Sequence, residues 1–256
     1  MSNRIDQLFA AKKNGILNIY CTAGFPELND TLPVMKSLQA AGADLIELGM
    51  PFSDPLADGP VIQDSSTRAI KNGMSLRVLF EQLKDFRKEI SVPVVLMGYL
   101  NPVLLYGIEN FCKKCAEVGV DGVILPDLPM EEYESDYKAI FEQNGLHLIF
   151  LATPETSDAR LRKIDGLSRG FVYAVSSSST TGKDKDMSHQ QQYFERLKGM
   201  QLKNPVLIGF GIKDKATFDA ACAYSNGAII GTAFIRAIEN TTNLDTAIRQ
   251  FIAGVK

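Results

Sequence analysis

Apolar residues in this chain gather into short, nearly continuous runs separated by longer stretches of helical periodicity. Eight runs read as strands: Ile16–Thr22, Asp44–Met50, Pro93–Tyr99, Asp121–Asp127, His147–Thr153, Phe171–Ser177, Pro205–Gly211 and Gly227–Ala233. Each is rich in β-branched residues and lacks strict two-residue alternation, as strands covered on both faces do. Between them the spacing changes. Ile108, Phe111, Cys112 and Cys115 stand at i, i+3, i+4 and i+7; Tyr133, Tyr137, Ile140 and Phe141 share a face, as do Leu244, Ile248, Phe251 and Ile252. Ahead of the first strand, Met1–Lys13 predicts a short helix capped by Ser2 or Asn3. Its face of Ile5, Leu8 and Phe9 could plug the bottom of a barrel. Asp30 is the expected cap of the next helix, which ends near Gly42.

Eight strand-then-helix units predict an α/β fold, a (β/α)8 TIM barrel with an extra N-terminal helix, as one domain over residues 1–256. No linker or low-complexity segment divides the chain. A doubly wound open sheet would want a glycine fingerprint after the first strand, where this chain has TAGFPE. Two connections are long. After strand two come the loop Pro51–Pro60 and an extra helix, Val61–Lys71, before the helix Ser75–Lys88. After strand six comes SSSSTTGKDKDMSHQ. Either could be a lid; the serine run reads equally as a surface loop.

Bulk composition narrows the function. The 256 residues are 45% hydrophobic, with net charge −3 and a pI near 5.5. Basic residues are scattered, so no nucleic-acid surface is expected. No apolar run reaches membrane-spanning length, and the first residues lack the apolar centre of a signal peptide. Four cysteines in such a chain point to reduced thiols and a cytoplasmic location.

Glu47 is the first candidate for chemistry. It is a carboxylate between Leu45, Ile46, Leu48 and Met50, where it must be paired, neutralised or used. Asp58 follows on the loop leaving the same strand, at the barrel end where active sites sit. Two carboxylates in unlike environments suit acid–base work. Asp54 reads as a turn residue beside Pro55. Glycines near the ends of the last three strands, Gly182, Gly209, Gly211 and Gly231, with Thr232 as a cap, suit a phosphate. No lysine lies in a strand, which argues against a Schiff base. His147 starts strand five, at the wrong end, and His189 lies in or beyond the second long loop, so no metal is expected. Cys112 and Cys115 read as core. Asp127 could touch substrate or cap a loop. Ser177–Ser179 have no histidine placed to activate them.

With these residues in view, the chain resembles the tryptophan synthase alpha chains. IELGMPFSDPLADGPVIQ, GYLNPVLLYG, GVDGVILPDLPMEE and PVLIGFGI match that family's signature stretches in order and spacing. The resemblance implies a lyase cleaving indole-3-glycerol phosphate to indole and glyceraldehyde 3-phosphate, with Glu47 as general acid/base and Asp58 holding the indole N–H. It implies substrate contacts at Tyr20 and Tyr99, a phosphate site at Gly182, Gly211, Gly231 and Thr232, and a lid contact at Thr181. No cofactor is implied in this chain; pyridoxal phosphate is expected in a beta chain, the partner in an α2β2 complex, facing the loops after strands two and three. Where the family reads VSRxGVTG, this chain has Ser177 and Ser179 for the arginine and glycine, which implies a lid that closes less tightly. Another phosphate-binding barrel, an isomerase or aldolase, and a mainly regulatory subunit are the alternatives.

Overall fold

The computed structural model describes residues 3–176, 187–209 and 211–256, with 187–190 as helical backbone only. Nine parallel strands run through the described residues: β1 Ile16–Thr22, β2 Leu45–Gly49, β3 Val94–Met97, β4 Gly122–Ile124, β5 His147–Ile149, β6 Leu151–Ala152, β7 Val172–Val175, β8 Val206–Gly209 and β9 Gly227–Ile230. Hydrogen bonding connects them in the order β5-β4-β3-β2-β1-β9-β8-β7-β6. Since β5 and β6 are consecutive, the order describes a ring, the expected TIM barrel.

The ninth strand comes from a break in the fifth run. Residues His147–Ile149 pair only with β4 and Leu151–Ala152 only with β7. At Phe150 the backbone N–H turns to the Ser168 hydroxyl, 3.2 Å away, while its carbonyl still accepts from Tyr173 N. A single run thus changes partners across one residue, and the ladder is read as two strands. The other seven strands lie within the expected runs, mostly trimmed at one or both ends.

Strand parity divides inside from outside. Ile16 on β1, Leu45 on β2, Val95 on β3, Ile124 on β4, Leu207 on β8 and Ile229 on β9 meet in one buried cluster. Ile5 and Phe9 of the helix Arg4–Ala11 belong to it, so the N-terminal helix plugs the barrel as expected. Asn3 is its cap, accepting from Ile5 N. The opposite strand faces pack under the outer helices, among which Leu244–Ala253 lies against Thr31–Ala41. Asp30 is the N-cap residue of that second helix, as expected, but its side chain makes no cap hydrogen bond there. A three-residue turn, Leu28–Asp30, precedes it, and Asp30 forms a reciprocal box with Glu27 there.

Below β4 lies a buried ionic knot. Asp121, 3% exposed, accepts from Arg4 at 2.9 Å, from Arg87, and from Val94 N at 2.8 Å. Arg87 also donates to the carbonyls of Gly119, Ile90 and Val92. At the same end His147 bonds Asp6 at 2.9 Å. All four cysteines are free thiols, and Cys112 and Cys115 are fully buried in the core.

Candidate active site

Glu47 lies two residues beyond Leu45, so it faces the same interior one layer higher. In register it stands beside Tyr20 of β1. It is 1% exposed. Its Oε2 accepts from Asn18 Nδ2 at 3.0 Å, and its Oε1 has no hydrogen-bond partner among the described residues. Burial raises its pKa to about 8; the Asn18 hydrogen bond opposes that and the nearby Asp58 charge adds to it. Near neutral pH Glu47 is therefore mainly a carboxylic acid, able to give a proton.

Asp58 comes from the loop above. Its backbone N–H bonds to Pro55 O, and Gln63 holds its carbonyl at 2.8 Å. Its Oδ2 accepts from the Tyr99 hydroxyl at 3.1 Å, and Tyr99 in turn accepts from Ala57 N. Partial burial lifts the Asp58 pKa to about 6, against the Tyr99 hydrogen bond. At pH 7 it is mostly ionised. Two carboxyls in one site thus rest in opposite protonation states.

Tyr20, Asp58 and Tyr99 line one narrow pocket with Phe52, Met97 and Pro126. The Phe52 and Tyr99 rings lie 5.2 Å apart and form one wall. Burial, with the Asp58 charge next, pushes the Tyr20 hydroxyl well above its ordinary value, so it stays neutral. Two inward positions are glycine because rings fill them. A Cβ on Gly49 would meet the Tyr20 hydroxyl at 2.2 Å, and one on Gly209 would meet that of Tyr173 at 2.4 Å. Gly209 is thus explained by packing.

Gly211 follows β8 with φ +78, a conformation glycine adopts freely. Gly231 ends β9 and is itself the N-cap of the helix Thr232–Ile238, so Thr232 is the first helical residue and not the cap. Since β8 pairs with β9 and β9 with β1, these positions share the rim above Tyr20. Thr181 and Gly182, the serines at 177 and 179, and Phe210 lie outside the described residues. Asp127 caps the helix Leu100–Tyr106, accepting from Leu100 N with both oxygens. Asp54 accepts from Ser53.

Two residues of the site were not singled out from the sequence. Asn18 carries the same signal as Glu47, a polar side chain inside an apolar strand. Tyr173 is buried within the field of Glu47 and Asp58, which raises its pKa further after burial itself. A tyrosine in a strand is ordinary, so nothing in the run marked it. Among the described residues no three His, Cys, Asp or Glu side chains group as a metal site would need, and no helix is long and apolar enough to cross a membrane.

Known proteins share both sequence and barrel. The family model described as Tryptophan synthase alpha chain matches residues 6–255. The tryptophan synthase alpha chain of Parabacteroides distasonis is 51% identical over 255 residues, covering 99% of each chain. That of Flavobacterium psychrophilum is 52% identical over 254 residues, again 99% of each. The crystal structure of the alpha subunit from Legionella pneumophila superposes with a TM-score of 0.91 at 33% identity, over 100% of this chain and 97% of that one. A chain of the tryptophan synthase complex from Pyrococcus furiosus gives 0.86 at 35% identity, over 95% and 98%. With sequence and barrel both matched end to end, the chain belongs to the tryptophan synthase alpha chain family.

Proposed function

We propose that this chain cleaves indole-3-glycerol phosphate to indole and glyceraldehyde 3-phosphate, the lyase step of tryptophan biosynthesis, with Glu47 as acid and base. Family membership supports the reaction, and one observation carries the residue roles: Glu47 is fully buried, which favours its acid form, while Asp58, in the same field, is less buried and favours ionisation at neutral pH.

The steps follow from those two states. Glu47 in its acid form gives a proton to indole C3. The ring then carries positive charge delocalised onto its nitrogen, and the N–H faces the Asp58 carboxylate, which stabilises that charge. Glu47, now ionised, takes the proton of the neighbouring glycerol hydroxyl. The O–H electrons form the aldehyde carbonyl, the carbon–carbon bond breaks, and its electrons return to the ring and cancel the charge. Glu47 ends in the form in which it began. Tyr20 and the Phe52–Tyr99 wall suit a flat apolar ring. Gly211, Gly231 and Thr232 offer backbone N–H groups and a hydroxyl for the phosphate, with Gly182 and Thr181 assigned to the same end of the substrate. No step calls on a cofactor in this chain; pyridoxal phosphate is assigned to the beta chain.

The beta chain of an α2β2 complex is the proposed partner. Leu56 on the loop after β2 and Leu105 on the helix after β3 are 88% and 82% exposed, large apolar side chains at the face expected to meet it. Indole release from indole-3-glycerol phosphate, followed with and without beta chain, tests the proposal. Release that rises with beta chain is expected; no indole under either condition from the folded chain would return the assignment to another phosphate-binding barrel.

The pH profile is a separate expectation. Ionised Asp58 is required, so kcat/KM falls below pH 6; protonated Glu47 is required, so it falls above pH 8. The expected profile is a bell between those limits. A rate that keeps rising past pH 9 would assign Glu47 the wrong starting state.

A further inference from the structure

Asn18 is a buried polar group in the barrel wall whose presence the reaction above leaves unexplained. It stands in the middle of β1, in the run ILNIYCT, and is fully buried. A buried polar atom without a partner destabilises the fold, and Asn18 Oδ1 has none among the described residues. An apolar residue would fit the strand better. What the amide does make is the bond from Nδ2 to Glu47 Oε2 at 3.0 Å, and Glu47 Oε1 is left without a partner among the described residues.

We propose that Asn18 is a positioning residue for Glu47, fixing Oε2 as the carbonyl oxygen of the acid form so that the transferable proton sits on Oε1. The proposal rests on the reading of Glu47 as the acid and base of the lyase reaction. A carboxylic acid has one acceptor oxygen and one O–H; an N–H donor against Oε2 favours the form with hydrogen on the other oxygen. That is the oxygen left without a partner among the described residues. After proton transfer the same bond persists to a charged acceptor and strengthens. The anion is thereby favoured. The ionisable groups around Glu47 all push the other way or stay neutral: Tyr20 and Cys21 on β1, Asp58 from the loop, and Tyr173 on β7. Asn18 opposes them and keeps Glu47 a strong enough acid for the operating pH.

Asn18→Leu, of similar shape, removes the donor; Asn18→Val is a smaller variant that suits a buried strand. Both are tested in the full chain with beta chain present. The expected result is kcat down about ten- to a hundredfold with KM within about twofold, and the alkaline limb moved up by about one pH unit. Merely structural packing predicts altered thermal unfolding with kcat and the limb unmoved, and that result would overturn the proposal. Infrared spectra of the ¹³C-glutamate-labelled chain give a second readout that needs no turnover. The band lost in Glu47→Gln identifies the protonated Glu47 carbonyl, and it should shift to higher frequency in either Asn18 variant. An unmoved band counts against Asn18. Activity retained in Glu47→Gln would instead remove the reading of Glu47, so the two failures are distinguishable.

Discussion

Glu47→Gln is expected to slow indole release by about 10²–10⁴-fold, the usual range for a positioned acid–base group, while raising thermal stability at alkaline pH. The amide keeps the size of the side chain and can still accept from Asn18 Nδ2 through its carbonyl. It cannot give or take the proton. Stability moves the opposite way because Glu47 is held in the acid form. Its folded pKa, about 8, lies above the unfolded value near 4.5. Its burial therefore costs nothing in ionisation below pH 4.5, and stability is lost as pH rises from there towards 8. Gln has no such loss. The melting temperature of the variant should exceed that of the wild type by a margin that grows between pH 5 and 8 and then levels off. Activity and unfolding measured on the same preparations separate chemistry from misfolding. A variant that loses activity and also melts lower at pH 8 would mean that Glu47 serves the fold.

The residues that could be read from the sequence are those whose local surroundings contradict them. Glu47 stands out because four apolar neighbours flank it, and Asp58 because it leaves the same strand. The eight strand runs were legible because burial on both faces suppresses alternation, and the plug helix because Ile5, Leu8 and Phe9 repeat at helical spacing. Asn18 gave the same kind of signal more weakly, since an uncharged amide in a strand raises no question of ionisation. The break at Phe150 had no local sign at all: it depends on a hydroxyl at Ser168. The turn Leu28–Asp30 was not legible, because an aspartate at a helix cap gives no sign that its side chain closes a box with Glu27 instead of bonding into the helix. Tyr173 and Gly209 explain one another, yet they lie on neighbouring strands and neither is unusual alone.

Asp121→Ala is expected to cost about 3–5 kcal/mol of stability, the range for removing one partner from a buried charge pair, and to lower the melting temperature by roughly 10 °C. In the sequence Asp121 is only the first residue of a strand run. In the fold it joins three remote segments: Arg4 of the plug helix, Arg87 and Val94 N. Arg87 is half-buried or deeper throughout, and burial lowers its pKa to about 10 despite the Asp121 charge beside it. Without that carboxylate the guanidinium keeps its three carbonyl acceptors and loses its counter-charge, while Val94 N loses its acceptor outright. Exposed pairs such as Lys114–Glu117 contribute far less, because water screens them and their side chains lose freedom on pairing. Asp121→Asn should cost less than the alanine variant, since an amide oxygen can still accept from Val94. The knot lies at the start of β4 and Glu47 within the barrel above, so indole release per folded molecule at 20 °C should stay within about twofold of wild type. A melting temperature within about 2 °C of wild type for Asp121→Ala would show that the arginines find other partners and that the plug helix is held without this carboxylate.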